Sequence, residues 1–397
     1  CEQMEDPALA KGLVDRDIIR IVTPGTVIDA SMLEEGKNNF IAAVCRTGSG
    51  AGACFCDIST GEVSATAFSG RDWQEHLFNE LGRFAPREAV LDTAAWEDVE
   101  LREFLRLRLD CRCELGREED FAPDRAMETA RKQFRTGLED LPGEAEAAVR
   151  ACGGLLIYLY ETQKTDLSHL TAFRYYTGGE FMELDLTARR NLELTETMRG
   201  KEKKGSLLWV LDKTRTAMGH RLIRSWMERP LLSPVQVNKR LDAVEDLVGD
   251  AIARQEIAEC LREVTDLERL IGRIVYGTAG ARDLVALSGG LGKLPRLRAL
   301  LAPFRSSLLT VLRESIDDLQ DLREHIARAL VEEPPFSVRE GGFIKAGYNS
   351  DVDYLRDIMT NGKSMVASIE QSEREKTGIK NLKVGYNKVF GYYIEVS

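Results

Sequence analysis

The sequence predicts a multidomain chain in which an α/β unit precedes a mainly α-helical region, and that region ends in a long helix leading into a β-hairpin. Three observations carry this reading. Short β-rich runs joined by turn residues fill the first third, helical runs separated by Gly and Pro signals follow from Ala147 to Val331, and a helical pattern free of Pro extends from Asn349 to about Thr377. At 397 residues the chain also exceeds what one core usually organises.

Composition narrows the class. With 43% hydrophobic and 30% charged residues the chain reads as globular, and no apolar run reaches the 18 or more residues of a membrane span. A net charge of -11 argues against affinity for nucleic acid over the whole surface, so any such contact must be local.

Phe40 to Cys45, Ala53 to Ile58 and Glu62 to Phe68 read as three strands joined by Gly-rich and Ser59-Thr60-Gly61 turns, a meander. An amphipathic helix follows, capped at Asp72, with Trp73, Leu77, Leu81 and Phe84 on one side. Ala89 to Leu91 is then a strand, Ala94 to Leu105 a helix and Leu107 to Leu115 another strand. Three meander strands followed by α-β-α-β is the order of a ribonuclease-H-like fold. Nucleases of that fold gather carboxylates around divalent metal, and the candidates here are Asp57, Glu62 and Asp92. The first strand, where such enzymes place a key acid, offers only Phe40-Ile41-Ala42-Ala43-Val44-Cys45, so a non-catalytic domain is the preferred reading and a metal-dependent nuclease with a helical appendage the alternative.

Among the eight cysteines, Cys54-Phe55-Cys56 and Cys111-Arg112-Cys113 could supply four thiolates to zinc. Structural zinc sites usually space paired ligands more widely, however, and strict alternation from Leu107 to Leu115 puts Cys111 and Cys113 on the buried side of a strand. Free, reduced thiols and no metal are therefore expected. Three Gly-rich segments invite a phosphate-loop reading and each fails it. Gly289-Gly290-Leu291-Gly292-Lys293-Leu294 lacks the first Gly and the final Ser or Thr, Gly362-Lys363-Ser364 lies within the long helix, and Gly48-Ser49-Gly50-Ala51-Gly52 sits between two strands.

After a polar stretch around Thr136 to Glu146, Ala147 to Gln163 is apolar enough on all sides to be a deeply buried helix. Met182 to Asp185 reads as a brief extended piece, and Thr187 to Thr197 as a helix with Leu192 inward. Helices are predicted over Leu207–Asp212, Met218–Met227, Ser233–Val248, Ala251–Glu263, Leu267–Ile274, Ala281–Leu291, Leu294–Leu301 and Ser307–Val331, an α bundle. Arg189, Arg190, Arg215, Arg221, Arg224 and Arg229 form either a phosphate-binding stripe or, with acids such as Glu193, Glu196 and Glu228 close by, a set of structural ion pairs; the second is preferred. His76, His169, His220 and His325 are isolated in sequence and show no catalytic spacing.

In the final segment Val352, Leu355, Met359, Val366 and Ile369 recur at helical spacing, and about 29 residues at 1.5 Å rise give roughly 43 Å of helix. Thr377-Gly378 ends it. Asn381 to Val396 then reads as two β-rich runs around Asn387-Lys388-Val389-Phe390-Gly391. Between Arg374 and Lys388 five basic residues (Arg374, Lys376, Lys380, Lys383, Lys388) face one acid, Glu375, so this end carries +4. Lys380, Lys383, Asn387 and Lys388 are the candidates for contacting a polyanion backbone.

The motifs here resemble the MutS family of bacterial DNA mismatch-repair proteins. Val338 to Asn349, Glu373 to Gly378, Leu382 to Asn387 and Gly391 to Val396 are similar, in order and spacing, to that family's passage from lever to clamp. Leu184 to Leu194, Leu211 to Leu222, Asp266 to Leu270 and Ala281 to Leu284 resemble its helical core, and Cys1-Glu2-Gln3, Asp6-Pro7 and Arg20 to Thr26 the exit from its mismatch-reading domain. The resemblance implies a division into an exit segment (1–26), a ribonuclease-H-like connector (27–140), a helical core (141–335) and a lever with the start of a clamp (336–397). Beginning at Cys1 and ending in a strand, the chain reads as a central fragment lacking both the mismatch-reading domain and the ATPase domain. Such a fragment is expected to catalyse nothing, to bind no cofactor and to couple the clamp to the ATPase domain, with a purely structural helical scaffold as a further alternative. For the intact protein the resemblance implies ATP and Mg as cofactors, duplex DNA with mismatches or small loops as ligand, a MutL-type partner at the connector, a homodimer, and a cytoplasmic, nucleoid-associated location without membrane attachment.

Overall fold

The computed structural model describes residues 2–3, 14, 16–389 and 391–396, with the backbone alone at 2–3 and 363–364. The motif residues Cys1, Asp6 and Pro7, and Phe390 of the hairpin turn, therefore lie outside the described residues. Two compact units result, one of Cys1–Ala279 with Ala286–Leu319 and one of Gly280–Val285 with Gln320–Ser397.

In the first unit a short ribbon pairs β1 (Glu2–Gln3) with β2 (Arg16–Asp17). A six-stranded mixed sheet follows. Its strands are β3 (Ile41–Thr47), β4 (Gly50–Asp57), β5 (Glu62–Ser69), β6 (Glu88–Leu91), β7 (Arg112–Leu115) and β8 (Arg174–Tyr175), in the spatial order β7-β6-β3-β4-β5-β8. The meander β3-β4-β5 is antiparallel, while β6 runs parallel to β3, β7 to β6 and β8 to β5.

Helices cover both faces, which is why the whole of β4 is buried. On one face α1 (Trp73–Phe84), α2 (Thr93–Glu97) and α3 (Val99–Glu103) bury Leu77, Leu81, Ala95 and Leu101 against Ala42, Val44, Ala53 and Phe55. On the other, α4 (Pro123–Gln133) and α5 (Glu146–Gln163) pack Ala130, Ala148, Ala151, Cys152 and Leu155 against Ile41, Ala43, Cys54 and Cys56. The close approach is set by glycine. A Cβ on Gly52 would lie 2.0 Å from the Ala147 carbonyl, and one on Gly153 would lie 2.3 Å from the Cα of Ala126 on α4.

Several expectations need correction. The apolar helix predicted at Ala147 to Gln163 forms and is largely buried, but it covers the sheet instead of opening the helical bundle, and β8 at Arg174–Tyr175 extends that sheet, so the sheet's elements run past residue 140. The alternation over Leu107 to Leu115 yields only the strand Arg112–Leu115. Its partner β6 is four residues long, Asp110 adopts a left-handed φ of 54°, and Leu107 and Leu115 are exposed. The helix predicted from Ala94 to Leu105 breaks at Asp98, which is extended and caps α3 by accepting from the Leu101 amide. Asp72 precedes α1 without a side-chain cap bond.

The helices after the sheet are α6 (Leu186–Asn191), α7 (Leu207–Leu211), α8 (Ala217–Glu228), α9 (Pro234–Gly249), α10 (Ala251–Arg262), α11 (Leu267–Val275), α12 (Ala281–Leu291), α13 (Leu294–Leu301), α14 (Ser307–Ser315) and α15 (Gln320–Ala329). Met182 to Asp185 forms no strand; only Phe181 makes an isolated bridge, to Leu231. Helix α6 stops before Leu192, which is exposed, and Leu194 points inward instead. The single helix predicted over Ser307 to Val331 is two, because Ile316 is extended, Leu319 has φ 44° and the Asp317 carboxylate accepts the Leu319 amide in a local turn.

In the second unit α16 (Ser350–Thr377) is 28 residues long, capped by Asn349, whose side chain accepts from the Asp351 and Val352 amides. It kinks at Asn361, φ -111° and ψ 23°, where the sequence places Gly next. A hairpin of β9 (Leu382–Asn387) and β10 (Gly391–Val396) follows.

Candidate nucleic-acid interface

Helix α16 ends as its sequence demands, with Gly378 in the left-handed region (φ 71°) and its amide bonding back to the Arg374 carbonyl. Beyond Ile379 to Asn381 β9 begins, and its register with β10 pairs Leu382 with Val396, Val384 with Ile394 and Tyr386 with Tyr392. Lys383 and Asn387 therefore share the opposite face with Gly385, across from Glu395, Gly391 and Tyr393. The turn is held by the Val389 amide donating to the Asn387 side chain at 2.8 Å, and Gly391, which opens β10 opposite Asn387, has a positive φ of 72° that glycine adopts without strain.

Lys380, Lys383, Asn387 and Lys388 are all exposed. The structure does not gather them at one point. Lys380 and Lys383 lie by the base of the hairpin and Asn387 and Lys388 at its tip, five residues and about 17 Å further along the strand. That is a line of positive and amide groups on the scale of several phosphates, not a pocket. Arg374 and Lys376, counted above with the positive charges, are engaged on the helix by Glu370 and Glu373.

Between α16 and the hairpin lies an open apolar groove of about 490 Å³, lined by Ile358, Met365, Val366 and Ile369 of the helix and by Val384, Tyr392, Tyr393 and Ile394 of the hairpin, the last three 43–66% exposed. Of the stripe read from the sequence, Leu355, Met359 and Ile369 remain exposed by 48% or more, so that periodicity marks a helix without marking a buried face.

One contact escapes sequence reasoning. The Glu370 carboxylate accepts the Val384 amide at 3.0 Å, and the Arg374 guanidinium donates to the Leu382 carbonyl at 2.7 Å while pairing with Glu370. The spacing of Glu370 and Arg374 is visible in the sequence as an ordinary helix pair; their reach to the strand is not.

The other candidates resolve differently. Asp57 is fully buried and accepts from the Ser59 amide and hydroxyl, the Asn39 amide and the Asn38 side chain at 2.7–3.1 Å. Glu62 stands opposite it across the ladder and accepts from the Asn38 side chain; the residue is exposed, yet local desolvation first, then the Asp57 charge, hold its carboxyl above the ordinary range. Asp92 lies at the other end of β3, accepting the Arg46 and Ala95 amides, so the register separates it from Asp57 by about five residues, or 17 Å. Three acids so spread cannot share a metal pair a few ångströms apart. The two Cys-x-Cys pairs belong to opposite faces of the sheet, Cys54 and Cys56 with α5, Cys111 and Cys113 with α1 to α3. Of the phosphate-loop candidates, Gly48 lies in the β3-β4 turn, Gly289 to Leu294 spans the end of α12 and the start of α13, and Gly362 lies inside α16; none joins a strand to a helix.

Four of the six arginines have structural partners. Arg221 is buried, grips Asp266 and Glu268 at 2.6–2.8 Å and donates to the Glu35 carbonyl; burial disfavours its charge, but these bonds outweigh that and raise its pKa. Arg224 pairs with Glu228 and Glu196, Arg189 donates to the Asn79 carbonyl and Arg229 lies over the Tyr176 and Phe181 rings, whereas Arg190 and Arg215 are exposed. Each histidine has a partner: His76 Glu183, His169 the Ile58 carbonyl, His220 Asp212 and Thr214, His325 the Tyr348 hydroxyl. Asp212 and Thr214 both meet Nδ1 of His220, so no relay through the ring is formed. Among the described residues no helix is long and apolar enough to cross a membrane.

Comparison with known proteins bears on the whole chain. It matches the descriptions MutS domain I over residues 1–31, MutS domain II over 39–171 and MutS domain III over 187–385. It is 45% identical over 397 residues to the DNA mismatch repair protein MutS of Ruminiclostridium cellulolyticum, covering 100% of this chain and 45% of that protein. Proteins of the same name from Acetivibrio thermocellus (43%) and Pelotomaculum thermopropionicum (44%) are matched over all of this chain and 46% of their own length. The chain thus spans about half the length of the curated relatives it matches.

Proposed function

The chain belongs to the MutS family of DNA mismatch-repair proteins, and from that premise we propose that it is a non-catalytic segment that couples a DNA-gripping clamp to an ATPase domain outside this sequence. The division we assign is an exit segment to residue 26, a connector, a helical core, and a lever with the start of a clamp from 336, the connector drawn to include β8 because that strand is bonded to the sheet. A ribonuclease-H-like connector is supported by the meander β3-β4-β5 with β6 and β7 added in parallel beside β3. The lever is α16. In the longer protein, duplex DNA with mismatches or small loops is the ligand, a MutL-type partner meets the connector, two copies assemble, and ATP with Mg serves the ATPase domain; the location is the bacterial cytoplasm, at the nucleoid.

The observation that carries the reading is the hairpin, where exposed Lys380, Lys383, Asn387 and Lys388 present donors suited to phosphate oxygens at the end of a 28-residue helix. Contact of this kind is indifferent to base sequence. Replacing Lys383 and Lys388 with Ala in the longer protein will weaken homoduplex and mismatched duplex about equally and lower the slope of log affinity against log salt by up to roughly 0.9 for each phosphate no longer neutralised. Fluorescence anisotropy over a salt series reads this directly. An unchanged slope, or weakening confined to mismatched DNA, refutes backbone gripping by these residues.

A further inference from the structure

We propose that Glu370 and Arg374 act together as a surrogate strand that fixes the hairpin's angle on α16, and are positioning residues for its contact with DNA. The DNA-positioning role rests on the phosphate-contact reading of the hairpin, and the bracket itself on geometry alone.

An antiparallel ribbon of two strands leaves the outer edge of each strand with unpaired backbone groups. On β9 the outward groups at Leu382 and Val384 are a carbonyl and an amide two residues apart, the two that a third strand would bond. A helix cannot offer a strand's backbone, but an acid and an arginine one turn apart can offer the same acceptor and donor. Glu370 accepts from the Val384 amide at 3.0 Å, and Arg374 donates to the Leu382 carbonyl at 2.7 Å. Their ion pair joins the two side chains, so ordering one helps to order the other. Both are only partly exposed, 24% for Glu370 and 38% for Arg374, and Leu382, the first residue of β9, is buried. The polarity of the bracket is fixed: a carboxylate must face the amide and a guanidinium the carbonyl. Arg374 is consumed by this arrangement and adds no phosphate contact, although by sequence it belongs to the basic cluster.

The test separates this from an ordinary helix salt bridge. In the full chain, Glu370→Ala will make the Val384 amide exchange with solvent about tenfold faster, as expected when one charge-assisted hydrogen bond is removed. The double exchange Glu370→Arg with Arg374→Glu restores an ion pair on the helix but sets like poles against the strand, so it will not restore protection. Full protection in the exchanged protein, or no change in Glu370→Ala, overturns the bracket. For duplex binding, removing the Glu370 charge beside a polyanion would on Coulomb grounds strengthen affinity; a hairpin released from its angle will instead bind about three- to tenfold more weakly with the salt slope unchanged. A slope lowered by about 0.9 in Arg374→Ala shows Arg374 on a phosphate and refutes the positioning role. Absence of any salt-dependent duplex binding by the unsubstituted chain refutes the phosphate-contact reading itself, and amide exchange then decides the bracket alone.

Discussion

A carboxylate's residue type does not tell what it does, and Asp57 and Glu62 show the difference that surroundings make. Both are legible in the sequence as candidate metal ligands; what the sequence does not display is that Asp57 is filled by four donors of its own chain. Asp57→Asn turns an amide N–H₂ toward those donors and will cost about 1–3 kcal/mol of stability. Glu62 behaves oppositely. Its carboxyl is exposed, but local desolvation and the Asp57 charge raise its pKa in the folded chain, so its contribution, made small by solvent screening, is complete below the unfolded pKa, near 4.3, and is lost as pH rises through the folded value. Glu62→Gln will therefore be neutral or stabilising at pH 7, and any gain will vanish near pH 4. Urea unfolding of both variants at the two pH values checks the signs; a Glu62→Gln variant as damaged as Asp57→Asn at pH 7 would show that its charge is needed.

At the scale of elements, periodicity reports that a helix exists and how apolar it is, but not which neighbour it meets. Helix α5 is the clearest case, since its apolar residues announce burial while its partner is decided by small residues distant in sequence. Gly52 on β4 lets the helix backbone sit on the strand, and Gly153 lets α4 approach from the far side. Gly52→Ala will push the helix from the sheet and cost about 3 kcal/mol or more, whereas Gly48→Ala, with nothing within 4 Å of its added carbon, will stay within about 0.5 kcal/mol. Denaturant midpoints of the two variants test this, and equal midpoints would refute the packing argument. Breaks are harder to see than helices. Asp98, Leu319 and Asn361 each interrupt a run that hydrophobic spacing alone would continue, and only the last carries a familiar signal, an Asn followed by Gly.

For the molecule as a whole, charge sets the terms on which a polyanion can bind. The net charge is -11, so a duplex is repelled by the average surface, and at physiological salt only charges within about 8 Å of it act strongly. The local basic segment is legible by counting, but the count overstates it, because Arg374 and Lys376 are held by Glu370 and Glu373, while Lys380, Lys383 and Lys388 are exposed. Reversing those three to Glu changes the charge by two at each site, from -11 to -17. Reversing Lys204, Lys213 and Lys239, which are exposed on the helical region, produces the same net charge without touching the hairpin. If binding followed net charge, both proteins would lose it alike. Because counterion release depends on which phosphates are neutralised, the hairpin reversal will abolish duplex binding and the matched control will retain it with its salt slope intact, while thermal midpoints of the two stay near that of the parent. Equal weakening in both would move the origin of affinity from the hairpin to the protein's overall field.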